Sequence, residues 1–363
     1  MTAEQDPAEP TAAASGTAGA PETGETTGTT LEASENAAEP TTPETAPGAF
    51  EIFEATEDTA KTAEAPEDKP GFLADLRAHL RRSPAGIAGI TICSLFAAAA
   101  VVGPWLPFLP DPTQQSLPDK LTPPVGWGGT WAHPLGTDQL GRDIAARLVD
   151  GARISLLVSV AAVLIAAVLG TALGLVAGYI GGKVDTLIIS AADVQMAFPG
   201  VLAGLILVAA FGPSVWLVIV VIAISSWMVF TRVGRSLVFT LKTSLFVEAA
   251  ELTGAPARRV MWRHLLPNLF SSLITLGVLE LAAAILAESA FAFLGFGVQP
   301  PRSSWGLMIQ QGRNYITNGW WIVTFAGLAI SLVVLGVNLL SQWLQSFNDV
   351  AEREQIILER PGS

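Results

Sequence analysis

Residues 154–182 read ISLLVSVAAVLIAAVLGTALGLVAGYIGG, 29 positions with Arg153 before them, Lys183 after them and no charge between. About 20 apolar residues suffice for a helix to cross a bilayer, so this run predicts a transmembrane helix. Its glycines 170, 174 and 178 recur every fourth residue, a spacing that lets two helices pack closely in a membrane. Outward from it, residues 83–110 form a charge-free run of 28 and residues 194–231 one of 38. The longer run would extend about 57 Å as one helix, too far for a single crossing. Phe211-Gly212-Pro213-Ser214 supplies a break within it. The expected spans are 87–106, 154–182, 192–211, 215–230, 274–296 and 320–344. Six such spans make an all-α membrane protein.

Composition agrees. The 363 residues are 50% hydrophobic and 14% charged, against roughly 25% charged in soluble domains. The net charge of −12 is uneven: residues 1–70 hold 16 acidic and 2 basic side chains, and residues 71–363 hold 16 and 18. An acidic segment rich in Ala, Thr and Pro cannot bury enough surface to offset its ordering entropy, so residues 1–70 are expected to be a disordered tail. That start is acidic and lacks an apolar stretch, unlike a secretory signal. Residues 71–82, GFLADLRAHLRR, repeat apolar positions every fourth residue and predict a short helix on the membrane surface. A single cysteine, Cys93, excludes a disulfide framework, and His79, His133 and His264 have no metal-ligand spacing.

Lys and Arg set the orientation. With the N-terminus inside, segments on the inner face hold 14 of them and outer segments six, so both termini are expected in the cytoplasm. The resulting divisions are a tail (1–70), the surface helix with the first span (71–110), an outer loop (111–151), a core (152–345) and a second tail (346–363). Within the outer loop, residues 139–152 place Leu140, Ile144 and Leu148 on one stripe, which predicts an interfacial helix. Thr137 or Asp138 is expected to cap it.

The longest inner connection is 232–268. It contains Glu248-Ala249-Ala250-Glu251-Leu252-Thr253-Gly254, then Arg263-His264-Leu265-Leu266-Pro267-Asn268. The first part predicts a helix of good formers stopped by Gly254. The second restarts toward the membrane with Pro267 at a helix edge. An exposed short helix of this kind suits a groove on another protein, although an ordinary amphipathic connector fits the same pattern.

The Glu-Ala-Ala…Gly…Leu-Pro pattern resembles the EAA loop of ABC importer permeases. Further stretches are similar to the C-type subunits of the oligopeptide/dipeptide/nickel branch. These are His133-Pro134-Leu135-Gly136-Thr137-Asp138-Gln139-Leu140-Gly141-Arg142-Asp143 with Gly151-Ala152-Arg153, Ala177-Gly178-Tyr179-Ile180-Gly181-Gly182, and Phe293-Leu294-Gly295-Phe296-Gly297 with Ser304-Trp305-Gly306. The resemblance covers residues 75–345. It implies a type I importer permease fold in a bacterial cytoplasmic membrane, forming half of a translocation path for peptides. The implied partners are a second, B-type permease subunit, two ATPase subunits or one dual ATPase, and an extracellular substrate-binding lipoprotein, with no nucleic acid. Residues Glu248, Ala249, Ala250, Gly254, Arg263, His264 and Pro267 are implied to couple to the ATPase. ATP and magnesium would be held by the partners, since no G-x-x-x-x-G-K-[ST] motif occurs here. The chain is therefore expected to hold no cofactor or metal and to be no enzyme itself.

Glu280 and Glu288 lie within the fifth expected span. A carboxylate in hydrocarbon is costly unless paired, protonated or wet, so both are candidate pathway or gating residues. Asp138, Gln139, Arg142 and Asp143 are candidate contacts for the binding protein. Two other readings stay open: the same architecture importing nickel chelates, glutathione or similar solutes, and a proton-coupled secondary transporter using Glu280 or Glu288.

Overall fold

The computed structural model describes residues 79–81, 83–107 and 109–359, with side chains to Asn348 except that of Pro104. The expected tail, residues 1–70, and most of the expected surface helix lie outside the described residues. The helices are α1 (Pro84–Val102), α2 (Ile144–Ile180), α3 (Gly182–Met196), α4 (Gly200–Phe211), α5 (Val215–Lys242), α6 (Leu245–Leu252), α7 (Ala257–Phe293), α8 (Trp305–Gly312) and α9 (Trp320–Glu359). Among the described residues there is no strand, only an isolated bridge between Thr137 and Asp143.

Helices α1, α2, α5, α7 and α9 are each long and apolar enough to cross a membrane, and α3 with α4 makes a sixth, broken element bent by 81°. This corrects the expectation of one straight span over 192–211. The chain leaves helical geometry at Ala197-Phe198-Pro199, because proline offers no N–H and disfavours helical backbone in the residue before it. The expected separate helix over 139–152 is also corrected. Helix α2 starts at Ile144 and runs unbroken for 37 residues into the membrane, with Asp143 at its N-cap accepting from the Ala146 N–H at 2.8 Å.

Helix α2 is the central post. Its glycine stripe packs against α5: a Cβ at Gly174 would lie 2.6 Å from the Thr231 carbonyl oxygen, and one at Gly178 would lie 2.8 Å from the Val238 Cβ. Thr231 adds a hydroxyl donated to the Gly170 carbonyl at 3.1 Å, an interhelical bond that polar side chains supply in membranes. One apolar cluster joins α2 and α5 to α6 and α7 through Val163, Phe230, Val247, Val260 and Leu269; a second joins α1, α2, α7, α8 and α9 through Ala100, Ile144, Ile285, Trp305 and Ile322. Asn348 ties α9 to α7, donating to the Thr275 hydroxyl and accepting from Ser271.

Candidate functional site

Where α2 and α5 end and α7 begins, the bundle carries Lys183, Arg232, Arg235, Lys242, Arg258, Arg259 and Arg263. Helix α6 lies across this basic end. Its Val247 is fully buried and Ala250 packs on the same core, which joins α6 to the following turn through Val260 and Leu265. The opposite side is open: Leu245 is 84% exposed and Leu252 82%. Ala249 is exposed between them. Offsets of four and three residues put the three on one helical stripe. Glu248 and Glu251 are exposed beside it.

Gly254 terminates α6 in a specific way. Its φ is +78°. Its N–H reaches the Glu251 carbonyl at 2.9 Å, and the Ala255 N–H reaches back to Ala250 at 3.1 Å. These paired bonds satisfy carbonyls that the helix end would otherwise leave open, and the left-handed backbone between them favours glycine.

Beyond it, Val260–Leu265 forms a π turn inside α7. The Leu266 N–H accordingly bonds five residues back, to Met261. The wider turn accommodates Pro267, which has no N–H to donate, and the Asn268 side-chain amide takes the His264 carbonyl at 2.6 Å. Arg263 and Pro267 are exposed and His264 half-buried. Glu248, Ala249, Ala250, Gly254, Arg263, His264 and Pro267 thus lie on two adjoining elements of one end.

Other polar ties at this end had no clear signal in the sequence. Arg235 grips Asp185 through both carboxylate oxygens, with Nη2 to Oδ2 at 2.6 Å, and Arg232 pairs with Asp193. Gln195 donates to the Ile224 carbonyl and accepts from the Trp227 indole. Tyr179 donates its hydroxyl to Glu251 at 2.9 Å, and Lys242 donates to the Tyr179 carbonyl at 2.8 Å.

At the opposite end, the residues expected to meet a binding protein are internal. Asp138 is fully buried, and Arg142 and Asp143 are nearly so. Asp138 Oδ1 accepts from the N–H groups of Leu140 and Arg142, at 2.8 and 3.0 Å. Its Oδ2 accepts from Arg142 Nε at 2.6 Å and from Arg147. Both arginines donate to Gln311 of α8, and Arg147 also reaches Ser303 at 3.0 Å. Asp143 caps α2 and holds His133 Nδ1 at 2.9 Å. Gln139 is half-buried. The assignment of Asp138, Arg142 and Asp143 as contact residues is therefore corrected. Their charges are consumed inside the fold, clamping the loop to α2 and α8. Arg147, Ser303 and Gln311 were missed: Ser303 and Gln311 meet the two arginines from more than 150 positions away, and Arg147, nine positions from Asp138, is brought to it by the turn at the start of α2.

The two intramembrane carboxylates differ. Glu288 on α7 is 2% exposed and sits among the hydroxyls of Ser155, Ser304 and Ser289. Ser304 caps α8, accepting from the Leu307 N–H at 3.3 Å. Ser289 donates its hydroxyl to Glu288 at 3.5 Å, and the hydroxyls of Ser155 and of Ser304, at the start of α8, stand beside it. Glu280 is half-buried and faces Ser226 of α5. Among the described residues no group of His, Cys, Asp and Glu is arranged to hold a metal ion.

Residues 170–350 match the family described as binding-protein-dependent transport system inner membrane component. The chain is 38% identical over 266 residues to a di/tripeptide transport system permease protein of Pseudomonas aeruginosa, covering 72% of this chain and 87% of that one. A dipeptide transport system permease protein of Alkalihalophilus pseudofirmus is 37% identical, with 74% and 87% covered. An oligopeptide transport system permease protein of Haemophilus influenzae is 31% identical, with 77% and 88% covered. The matched residues include α6, the π turn and the glycine stripe of α2, so the chain belongs to the ABC importer permeases, as a C-type subunit of the dipeptide and oligopeptide branch.

Proposed function

We propose that this chain forms half of the translocation path of an ATP-driven importer for di- and oligopeptides. A B-type permease supplies the other half. Two ATPase subunits, or one dual ATPase, dock on the basic end and hold ATP and magnesium; this chain contributes no nucleotide site. An extracellular lipoprotein delivers the peptide to the opposite end. The basic end faces the cytoplasm of a bacterial cell, with both termini inside, as the excess of Lys and Arg requires.

The observation that carries this reading is the stripe Leu245, Ala249 and Leu252. A helix at the wet end of a membrane bundle would not leave two leucines more than four-fifths exposed unless another surface covered them. The groove of an ATPase subunit is the cover proposed, with Glu248, Arg263 and His264 as its polar rim. Glu280, half-buried and with no cation paired to it among the described residues, is proposed as a pathway position, and Glu288 as the anchor of α8.

Replacing Leu252 by Asp tests the docking. The side chain makes little contact within the chain, so the variant should insert and fold normally. A mild-detergent purification should then recover the second permease and lose the ATPase subunits. Full recovery of the ATPases with Leu252→Asp would place their docking site elsewhere.

A further inference from the structure

Helix α3 is unusual among the elements of this bundle. Only Ala192 of its 15 residues is buried, while Leu187 is 72% exposed and Val194 63%. It is therefore held chiefly by polar ties, Asp185 to Arg235, Asp193 to Arg232, and Gln195 to Trp227, all on α5. It is bounded at both ends by breaks. One is the 81° bend before α4. The other is Gly181-Gly182, with φ of +69° and +57° and no atom within 4 Å of where either Cβ would stand. Two successive left-handed glycines in open space form a joint whose backbone can change without clash. Helix α3 is thus an arm, hinged at the basic end and continuous with the bent half-span α4.

The residue next to that hinge connects it to α6. Tyr179, two positions before Gly181, donates its hydroxyl to Glu251 at 2.9 Å. Its carbonyl, near the end of α2 where helical partners run out, accepts from Lys242 at 2.8 Å, and the Lys242 ammonium stands 5.2 Å from the centre of its ring. Lys242 is the last residue of α5, three positions before α6 begins. One tyrosine therefore touches the docking helix through its hydroxyl and the helix that carries the arm's cations through its ring and carbonyl.

We infer that Tyr179 is a positioning residue that links movement of α6 to the Gly181–Gly182 hinge, so that α3 and α4 shift when the docked ATPase closes. The inference rests on α6 being the docking helix. It gives Glu251 a different task from that of Leu245 and Leu252: those residues hold the ATPase, whereas Glu251 passes its motion on.

The full transporter, reconstituted in liposomes, distinguishes the two tasks when ATP hydrolysis and peptide uptake are both measured. Tyr179→Phe removes one hydroxyl, and Glu251→Leu removes its acceptor. Each should keep the ATPase bound and hydrolysing, yet lower peptide taken up per ATP by about fivefold or more, the smallest effect expected of an allosteric coupling. Glu251→Gln retains an oxygen that the tyrosine can reach and should stay within about twofold of wild type, well inside that range. Uptake per ATP unchanged in Tyr179→Phe would overturn the inference, as would hydrolysis and uptake falling together, which marks a merely structural bond. Leu252→Asp run in parallel should instead lose ATPase binding; if it does not, the docking reading fails, and the link built on it fails as well.

Discussion

Asp138 is one carboxylate facing two buried guanidinium groups, whereas the sequence around it reads as the cap of an interfacial helix. Removing one member of a buried ion cluster leaves the others uncompensated and typically costs about 3–5 kcal/mol. Arg147→Ala should accordingly lower the thermal midpoint of the detergent-solubilised chain sharply, a shift readable by fluorescence-detected size exclusion. A midpoint equal to wild type would show that the clamp is dispensable. Glu288 gives a contrasting case. Glu288→Gln keeps an oxygen for the surrounding serine hydroxyls and should be nearly neutral. Glu288→Leu strands those hydroxyls at a cost of about 1–3 kcal/mol and should be visibly less stable in the same assay. Both glutamates were legible as special from the sequence, because charge in an apolar run stands out. What surrounds each was not, since Ser155 lies more than 130 positions from Glu288, and Ser226 more than 50 from Glu280.

The elements divide by how their cause is encoded. Apolar length and glycine spacing are local properties, and the straight spans follow from them. The close contact of α2 and α5 has a direct test. Gly174→Val would drive a side chain onto the Thr231 carbonyl oxygen, 2.6 Å from the new Cβ, and should abolish folded yield. Gly327→Ala, where nothing lies within 4 Å, should be neutral or slightly stabilising, by at most about 1 kcal/mol of helix propensity. Equal yields from the two variants would contradict the packing described. The elements that departed from expectation did so for tertiary or masked reasons. Pro199 breaks a run whose uniform hydropathy conceals the bend, and the polar groups of α3 find partners on α5 that no local pattern announces. The loop before α2 has an amphipathic pattern yet forms no separate helix, because Asp138 binds backbone N–H groups in competition with helical bonding.

For the whole molecule, the sequence pointed to a multi-pass protein with a docking loop, and the folded chain supplies what that loop presents. Its apolar stripe faces away from the bundle while Val247 and Ala250 face in, a division that the short stretch Leu245–Leu252 carries but that only the packing of α6 reveals. A permease subunit that draws on ATP hydrolysed by its partners must be inactive alone and active in the assembly. A proton-coupled carrier built on Glu280 or Glu288 would behave the other way. The most direct measurement is uptake of a labelled dipeptide into proteoliposomes holding either this chain alone or the chain with its second permease, ATPase subunits and binding protein. We predict accumulation only in the complete assembly, dependent on ATP and indifferent to an imposed proton gradient. Accumulation by the lone chain, driven by a proton gradient and unaffected by ATP, would contradict the importer account.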